Sequence, residues 1–174
     1  MTRPYPDDPA DGFPTPPREI TDKEERTILF RTPTDIEALV EMYCAFDPAD
    51  KAQGIPPSGE RAIREWLESI TKGDAVNVVA RHDGETIGHA ILVDDGAGEH
   101  ELAIFVLQAY QGAGIGTELL RTTLGAAQQA GVSRVWLTVE RWNNAAIALY
   151  RKLGFEPADT PHFEMEMTLR LDTD

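Results

Sequence analysis

The chain has 174 residues, which is close to the size of one ordinary domain, so two independent hydrophobic cores are not expected. Its 30 acidic and 16 basic residues give a net charge of −14, and a negative field of this size argues against nucleic acid as a partner. Hydrophobic residues form only short runs, far below the about 20 residues that cross a bilayer, so the sequence predicts no membrane-spanning helix and no membrane partner.

Residues 1–26 are predicted to be a flexible arm outside the folded domain, which we place at residues 27–174. Six of the twelve prolines lie within residues 1–17, where only two aromatic residues are available for burial. The arm contains no apolar stretch of the kind that makes a secretory signal, and the single cysteine, Cys44, allows no intrachain disulfide. We therefore expect a cytoplasmic protein.

Two helices are predicted after a short strand at Thr27–Arg31. The first begins behind Thr34, which suits an N-cap, and the second begins at Ser58 or Gly59 and ends at Gly73. Each has apolar residues at helical spacing, which are Ile36, Leu39, Val40 and Tyr43 in the first and Ile63, Trp66, Leu67 and Ile70 in the second. Both helices are therefore expected to bury one face.

The rest of the chain reads as a β-hairpin followed by a βαβ unit. Residues 75–81 and 86–93 are strand-like and are joined by Asp83-Gly84, a typical hairpin turn. The elements that follow are an apolar central strand at 102–107, a helix that ends at Gly131, a strand at 135–139, a helix at 143–152 that ends at Gly154, and a half-exposed strand at 163–171. This order, with room for one further short strand near Phe155, predicts an α/β fold with a mixed sheet.

The most informative segment is residues 106–117, in which an apolar strand passes through glycines directly into a helix. Glycine lets the backbone approach a ligand and the helix start adds a positive dipole, so the segment predicts a site for a phosphate group. Counted from Gly112, the dinucleotide fingerprint and the ATP-binding loop both require glycine at the position of Thr117, so neither motif is present. The alternative is that the glycines only allow tight packing between strand and helix.

Two motifs in this chain resemble those of the GNAT (general-control-related N-acetyltransferase) superfamily. The segment Gln111-Gly112-Ala113-Gly114-Ile115-Gly116 is similar to the family's Q/R-x-x-G-x-G/A motif. Residues 143–155 resemble its N-x-x-A-x-x-L-Y-x-x-x-G-F segment, with Asn143 at the start and Tyr150 at the tyrosine position. The motifs occur in the family's order, and the resemblance covers residues 27–171.

The resemblance implies a GNAT-like sheet of six to seven strands, flanked by about four helices, whose fourth and fifth strands splay apart and hold acetyl-CoA. These strands are residues 100–107 and 135–139. The pantetheine would pair with backbone groups of Phe105, Val106 and Leu107. Backbone amides of the glycine turn would bind the pyrophosphate, and these belong to Gln111, Gly112, Ala113, Gly114, Ile115, Gly116 and Thr117.

The same resemblance assigns chemical roles. Tyr150 matches the family's general acid, which protonates the departing thiolate, and core packing is its alternative role. Glu101 falls closest to the strand glutamate that acts as the base in some relatives, and His100 and Glu140 are further candidates. Asn143 matches a position that contacts the cofactor, and it also suits a helix N-cap.

The implied function is acetyl transfer from acetyl-CoA to a primary amine by direct attack in a ternary complex. The acceptor site would lie among the loop at residues 53–57, the β-hairpin and the C-terminal strands, so small amines, amino acids and protein lysines all remain open. Trp142 is a candidate wall of this pocket, or a packing residue. A non-catalytic acyl-CoA sensor or scaffold is the alternative function.

Other partners are constrained by composition alone. His82, His89 and His162 show no metal-ligand spacing with carboxylates, so no metal is assigned. We expect a monomer or a homodimer. The basic residues are four lysines and twelve arginines, and this acidic, lysine-poor balance is similar to that of cytosolic proteins from salt-loving microbes, although a charge surplus is also typical of any solvated surface.

Overall fold

A computed structural model describes residues 3–46, 57–71, 75–158 and 163–173 of the chain. The strands among these residues are β1 (Arg18–Thr21), β2 (Thr27–Arg31), β3 (Val76–His82), β4 (Glu85–Asp94), β5 (His100–Val106), β6 (Arg134–Glu140), β7 (Glu156–Ala158) and β8 (Glu164–Arg170). The α-helices are α1 (Glu37–Cys44), α2 (Glu60–Ile70), α3 (Ile115–Gln129) and α4 (Asn144–Leu153). The described part of the chain therefore has the mixed α/β composition that the sequence predicted.

All eight strands belong to one sheet, in the order β1-β2-β3-β4-β5-β6-β8-β7. Every neighbouring pair is antiparallel except β5 and β6, which are parallel and are connected through α3. A parallel pair needs such a crossover, because the chain must return to the same end of the sheet. The mixed sheet is confirmed, and β1 raises its strand number above the expected six to seven.

The two faces of the sheet are covered by different helices. Leu120 and Leu124 of α3 and Ile147 of α4 pack with strand residues such as Leu102 on one face. Residues of α1 and α2 pack with Val79 of β3 on the other face. None of the helices in the described part of the chain has both the length and the apolar character needed to cross a bilayer.

Most element boundaries agree with the sequence patterns. Gly59 is the N-cap of α2, as predicted, whereas the predicted end at Gly73 lies outside the described residues. The predicted N-cap of α1 was wrong: the helix begins at Glu37, because the carboxylate of Asp35 rather than Thr34 accepts a hydrogen bond from the backbone N–H of Ala38, at 3.2 Å. A short strand near Phe155 is present as β7.

The N-terminal segment departs most clearly from the expected flexible arm. Its last residues form β1, which pairs antiparallel with β2 and extends the sheet. Further upstream, Ala10 donates a backbone hydrogen bond to Arg170 of β8, at 2.7 Å, and Asp172 donates one to Ala10, at 2.9 Å. Proline restricts the unfolded chain, so a proline-rich segment loses less conformational entropy when it becomes ordered. A few backbone hydrogen bonds and the packing of Ala10 and Phe13 against the core are therefore enough to fix it.

A close backbone contact also fixes this segment to α3. A Cβ atom added to Gly125 would lie 1.8 Å from the carbonyl oxygen of Pro14 and 3.1 Å from that of Phe13. No other amino acid fits here unless the helix or the segment moves. Glycine is otherwise unfavourable in a helix interior, so its presence in α3 is explained by this approach of two backbones.

A buried polar chain links α1 to the sheet. Tyr43 donates a hydrogen bond from its hydroxyl to Nδ1 of His89, at 2.6 Å, and Nε2 of His89 donates to Oδ1 of Asn77, at 2.7 Å. His89 is fully buried, and this burial lowers its pKa to about 3. The imidazole is therefore neutral in the folded protein at every physiological pH.

We expect the burial of His89 to make the fold less stable as the pH falls into the mildly acidic range. Its pKa is about 3 when folded and about 6.5 when unfolded. Its contribution is therefore complete above about pH 6.5 and falls as the pH drops toward 3. Linkage gives a loss of about 2 kcal/mol between pH 7.5 and pH 5. His89→Gln should show a correspondingly smaller loss in chemical denaturation at the two pH values.

NMR adds a measurement that needs no variant, since the ring signals of His89 should not titrate between pH 8 and pH 5. A His89 that titrates near pH 6.5 in the native state would contradict its burial in this hydrogen-bonded chain.

Replacing a glycine inside a helix with alanine usually stabilises a protein, but the contact at Gly125 predicts the opposite. Gly125→Ala should lower the free energy of unfolding by about 1–3 kcal/mol, because the new methyl group overlaps the Pro14 carbonyl. Gly116→Ala is the matched control in the same helix, where an added Cβ has no neighbour within 4 Å and should be neutral or stabilising. If both variants were stabilised in urea denaturation, the segment would not pack on α3.

Candidate active site

The gap between β5 and β6 is the main feature of the candidate site. These two parallel strands pair only at His100 with Val135 and at Glu101 with Trp136 within the described residues. β5 continues to Val106 and β6 to Glu140, so both strands extend past the last pair. The expected splay of the central strands is therefore confirmed, and it leaves one backbone edge of β5 open.

The hydrogen bonds of β4 determine which residues of β5 face this gap. Leu107 donates its backbone N–H to Ile87 at 3.0 Å, so its polar groups point toward β4. Backbone groups alternate between the two edges of an antiparallel strand, which turns those of Ile104 and Val106 toward the gap. Val106 is thus placed as expected, whereas the backbones of Phe105 and Leu107 face β4. Ile104 takes their place at the open edge, and its side chain carries no signal of this in the sequence.

The glycine turn begins where this open edge ends. Gln111 donates from Nε2 to the carbonyl oxygen of Val106, at 3.0 Å, which ties the turn to the strand. Gly114 is the N-cap of α3 and has φ of 88°, a left-handed conformation that favours glycine. The N–H groups of the first helical residues, Ile115, Gly116 and Thr117, have no acceptor within the helix. They make this turn able to bind an anion.

Three members of the expected turn have structural roles as well. Gly112 also has a positive φ, of 76°, and helps to reverse the chain. Ala113 and Ile115 are buried, and the side chain of Ile115 packs in the core between α3 and the sheet. Only their backbone groups are available to a ligand.

Helix α4 places the second motif beside the same gap. Asn143 is its N-cap and accepts a hydrogen bond at Oδ1 from the N–H of Ala146, at 3.2 Å, so the capping role is confirmed. Tyr150 packs with Phe155, with ring centroids 5.8 Å apart, and burial raises its pKa. Its phenol therefore stays protonated at neutral pH, as a proton donor must.

Glu101 lies on the opposite face of the sheet from Tyr150. Side chains alternate along β5, so Glu101 shares its face with Phe105, which packs with α1 and α2, whereas Leu102 packs in the same cluster as Tyr150. A group held in the gap between β5 and β6 would therefore have Glu101 on one side and Tyr150 on the other.

The N-terminal segment supplies a cation next to Glu101. The guanidinium of Arg3 lies 3.6 Å above the ring of Trp136, the residue paired with Glu101. Nε of Arg3 donates to Glu166 at 3.1 Å, and Trp136 donates from Nε1 to Asp95 at 3.2 Å. No sequence motif indicated Arg3, because it lies outside the region of family resemblance.

The pKa of Glu101 is raised above its ordinary value, chiefly because its surroundings exclude water from part of the side chain. Arg3 acts in the opposite direction and lowers this pKa, while the carboxylates of Glu166, Asp95 and Glu164 raise it. Glu101 remains solvent-exposed, so it can exchange protons with water. A carboxylate with a raised pKa is a better base than an ordinary one.

The other candidate bases are placed differently. His100 is on the opposite face of β5 from Glu101 and lines a groove with Asp94 and residues 130–133 at the far end of α3, so the structure does not bring it to the gap. Glu140 ends β6 and pairs with Glu164.

The acceptor region is described in part. Trp142 has 74% of its surface exposed, so it does not pack in the core. Phe163, at the same end of β6 and β8, is fully exposed. Residues 53–56 of the loop expected to border the acceptor lie outside the described residues, and so does His162. Within the described ranges, no group of three or more histidine, cysteine or carboxylate side chains is arranged to hold a metal ion.

Comparison with known proteins agrees with this geometry. The sequence pattern of the acetyltransferase (GNAT) family matches residues 36–155. An uncharacterized N-acetyltransferase of Mycobacterium tuberculosis is 33% identical over 101 residues, which are 58% of this chain and 65% of the relative. This chain therefore spans just under two thirds of the length of that relative.

Solved structures share the fold. The GNAT domain of S. lividans PAT superposes with a TM-score of 0.76 at 23% identity, over 89% of this chain and 97% of that domain. The PaiA N-acetyltransferase of Thermoplasma acidophilum, solved in complex with coenzyme A, has a TM-score of 0.60 at 22% identity, over 82% of this chain and 98% of its own. Because the family pattern matches well over half of its residues, this chain belongs to the acetyltransferase (GNAT) family.

Proposed function

We propose that this protein is an N-acetyltransferase that uses acetyl-CoA to acetylate a primary amine by direct attack in a ternary complex. The observation that carries this proposal is the continuity of the open edge of β5 with the glycine turn at the start of α3. An open strand edge suits the amide groups of pantetheine, and the turn suits a pyrophosphate. The coenzyme A bound by the Thermoplasma relative supports the same assignment.

The backbone at this edge suits such a ligand, once the side chain of Gln111 releases the carbonyl oxygen of Val106. Ile104 and Val106 present backbone groups to the gap, and Gly112 and Gly114 keep the turn free of side chains. Bound acetyl-CoA would supply a thioester carbonyl as the electrophile. Everything else in the reaction is positioning and proton transfer by the protein.

The reaction needs two proton transfers, and we assign each to a residue on a different face of the sheet. Glu101 accepts a proton from the acceptor ammonium, directly or through one water, so that the amine nitrogen can bond to the acetyl carbon. The carbon–sulfur bond then breaks, and Tyr150 gives its proton to the departing sulfur. Because Glu101 and Tyr150 lie on opposite faces of the sheet, neither interferes with the other's partner.

We expect the wild-type protein to release free coenzyme A thiol only when an acceptor amine is present, and Tyr150→Phe to lower kcat by about 100-fold or more. The phenyl ring keeps the packing against Phe155, so the dissociation constant for acetyl-CoA should be nearly unchanged. Thiol release is measured with a colorimetric reagent, and binding by titration calorimetry.

These two readouts separate the candidate functions. Tight binding of acetyl-CoA without thiol release across small amines, amino acids and lysine peptides would favour the sensor or scaffold. Wild-type kcat in Tyr150→Phe would make Tyr150 a packing residue and would refute its role as the acid.

The pKa of Glu101 predicts where kcat falls on the acidic side of its pH profile. kcat should rise with pH through this pKa, which lies above the ordinary value for glutamate. Arg3→Gln removes the cation that lowers the pKa, so its acidic limb should move to higher pH. Glu101→Gln should abolish the limb and lower kcat by about 100-fold.

Arg170 provides the control, because it is a second arginine whose side chain binds the N-terminal segment. It donates a hydrogen bond to the carbonyl oxygen of Asp7, at 2.8 Å, and does not rank among the charges that act most on Glu101. Arg170→Gln should therefore leave the acidic limb in place. An identical shift in both variants would show that the movement of the segment, rather than the charge of Arg3, changes the profile.

A further inference from the structure

The turn between β1 and β2 lies directly against the glycine turn. Lys23 donates its backbone N–H to the carbonyl oxygen of Ala113, at 3.0 Å. Arg26 donates from Nη1 to the carbonyl oxygen of Ala109, at 3.3 Å, and its guanidinium lies 4.3 Å above the ring of Tyr110. The turn between β1 and β2 therefore contacts both ends of the loop that leads into α3.

This turn is held in one conformation by Asp22. Its buried carboxylate accepts hydrogen bonds from the backbone N–H groups of Glu24, at 3.0 Å, and Arg26, at 2.8 Å. Nε of Arg26 donates to the same carboxylate at 2.7 Å. A turn fixed by these three bonds and by the bond to Ala113 gives Lys23 a defined position next to the glycine turn.

The side chain of Lys23 reaches the N-cap of α3. Its Cε atom lies 3.7 Å from the position that a Cβ atom on Gly114 would occupy. Lys23 is exposed, and no carboxylate among the described residues forms an ion pair with its ammonium group. The neighbouring cations differ, since Arg26 is paired with Asp22, and Arg18 and Arg121 are both paired with Glu118.

The ion pairs of Glu118 also affect the charge beside the glycine turn. This glutamate stands in the first turn of α3, where its negative charge opposes the binding of an anion. Arg18 of β1 donates to it at 2.9 Å and Arg121 at 3.0 Å. The β1–β2 hairpin therefore neutralises the one acidic side chain of that helical turn and adds an unpaired cation beside it.

We propose that Lys23 binds the pyrophosphate of coenzyme A, and that the β1–β2 hairpin is part of the cofactor site. This inference rests on the proposed function, because the ligand is the one assigned to the glycine turn. Its new content is a side-chain cation, contributed by a segment outside the family motifs, that adds an ionic contact to the backbone N–H groups.

The test compares Lys23→Met with wild type in calorimetric titrations of coenzyme A, dephospho-coenzyme A and pantetheine. Methionine keeps the backbone bond to Ala113 and most of the side-chain volume. We expect the dissociation constants of coenzyme A and dephospho-coenzyme A to rise equally, by about 10-fold, because the lost contact is a charge-assisted hydrogen bond at an exposed site. The affinity for pantetheine, which has no phosphate, should not change.

Two further variants complete the experiment. Lys152→Met removes an exposed lysine from the last turn of α4 and should leave all three affinities at the wild-type level. Lys23→Arg should keep most of the affinity for coenzyme A, since the charge is retained.

Three outcomes would overturn the proposal. The first is that Lys23→Met matches Lys152→Met, and the second is that it weakens the binding of pantetheine as much as that of coenzyme A. The third is that its effect vanishes with dephospho-coenzyme A, which would place the ammonium at the 3′-phosphate instead. Failure of wild-type protein to bind coenzyme A would instead refute the proposed function, so the two failures are distinguishable.

Discussion

The early end of pairing between β5 and β6 is the constraint on which the rest of the site depends. Backbone polar groups without a partner are costly when they are shielded from water, so an open strand edge inside a sheet must be satisfied by something other than a strand. Gln111 satisfies the carbonyl oxygen of Val106, and the remaining groups face the gap. β4 pairs with β5 along the whole length of β5, through its residues Gly88 to Asp94, and thereby supports the strand that carries this open edge.

The proposed acetyl transfer also depends on the gap between β5 and β6 passing through the sheet. Acyl transfer needs a base near the nucleophile and an acid near the leaving group, and the two groups must not neutralise each other. Alternation along β5 puts Glu101 on the α1 and α2 face, and the packing of α4 puts Tyr150 on the other. The sheet itself separates the groups, and the gap is the place where one ligand can reach both.

The sequence was sufficient for those parts of the fold and site that depend on local patterns. The glycine turn, the Asp83-Gly84 hairpin, the Asn143 cap and the order of the elements all follow from residue types at fixed spacing. The direction of backbone groups does not, because it depends on which strand lies at which edge, and so Ile104 was missed. Arg3 and Lys23 were missed for a different reason: a proline-rich, acidic stretch gives no sign of which distant carboxylates or loops it will contact.

The N-terminal segment brings positive charge to the domain, which its proline-rich, acidic composition does not indicate. Residues 1–26 contain Arg3, Arg18, Lys23 and Arg26, and all four lie against the domain in the structure. Arg3 stands beside Glu101 at the acceptor side, while the other three surround the glycine turn at the start of α3. In a chain with a net charge of −14, positive charge placed at these two ends lowers the electrostatic cost of a polyanionic ligand and of an ionised base. Under the proposed function, the segment thus places positive charge where the cofactor and the base would need it.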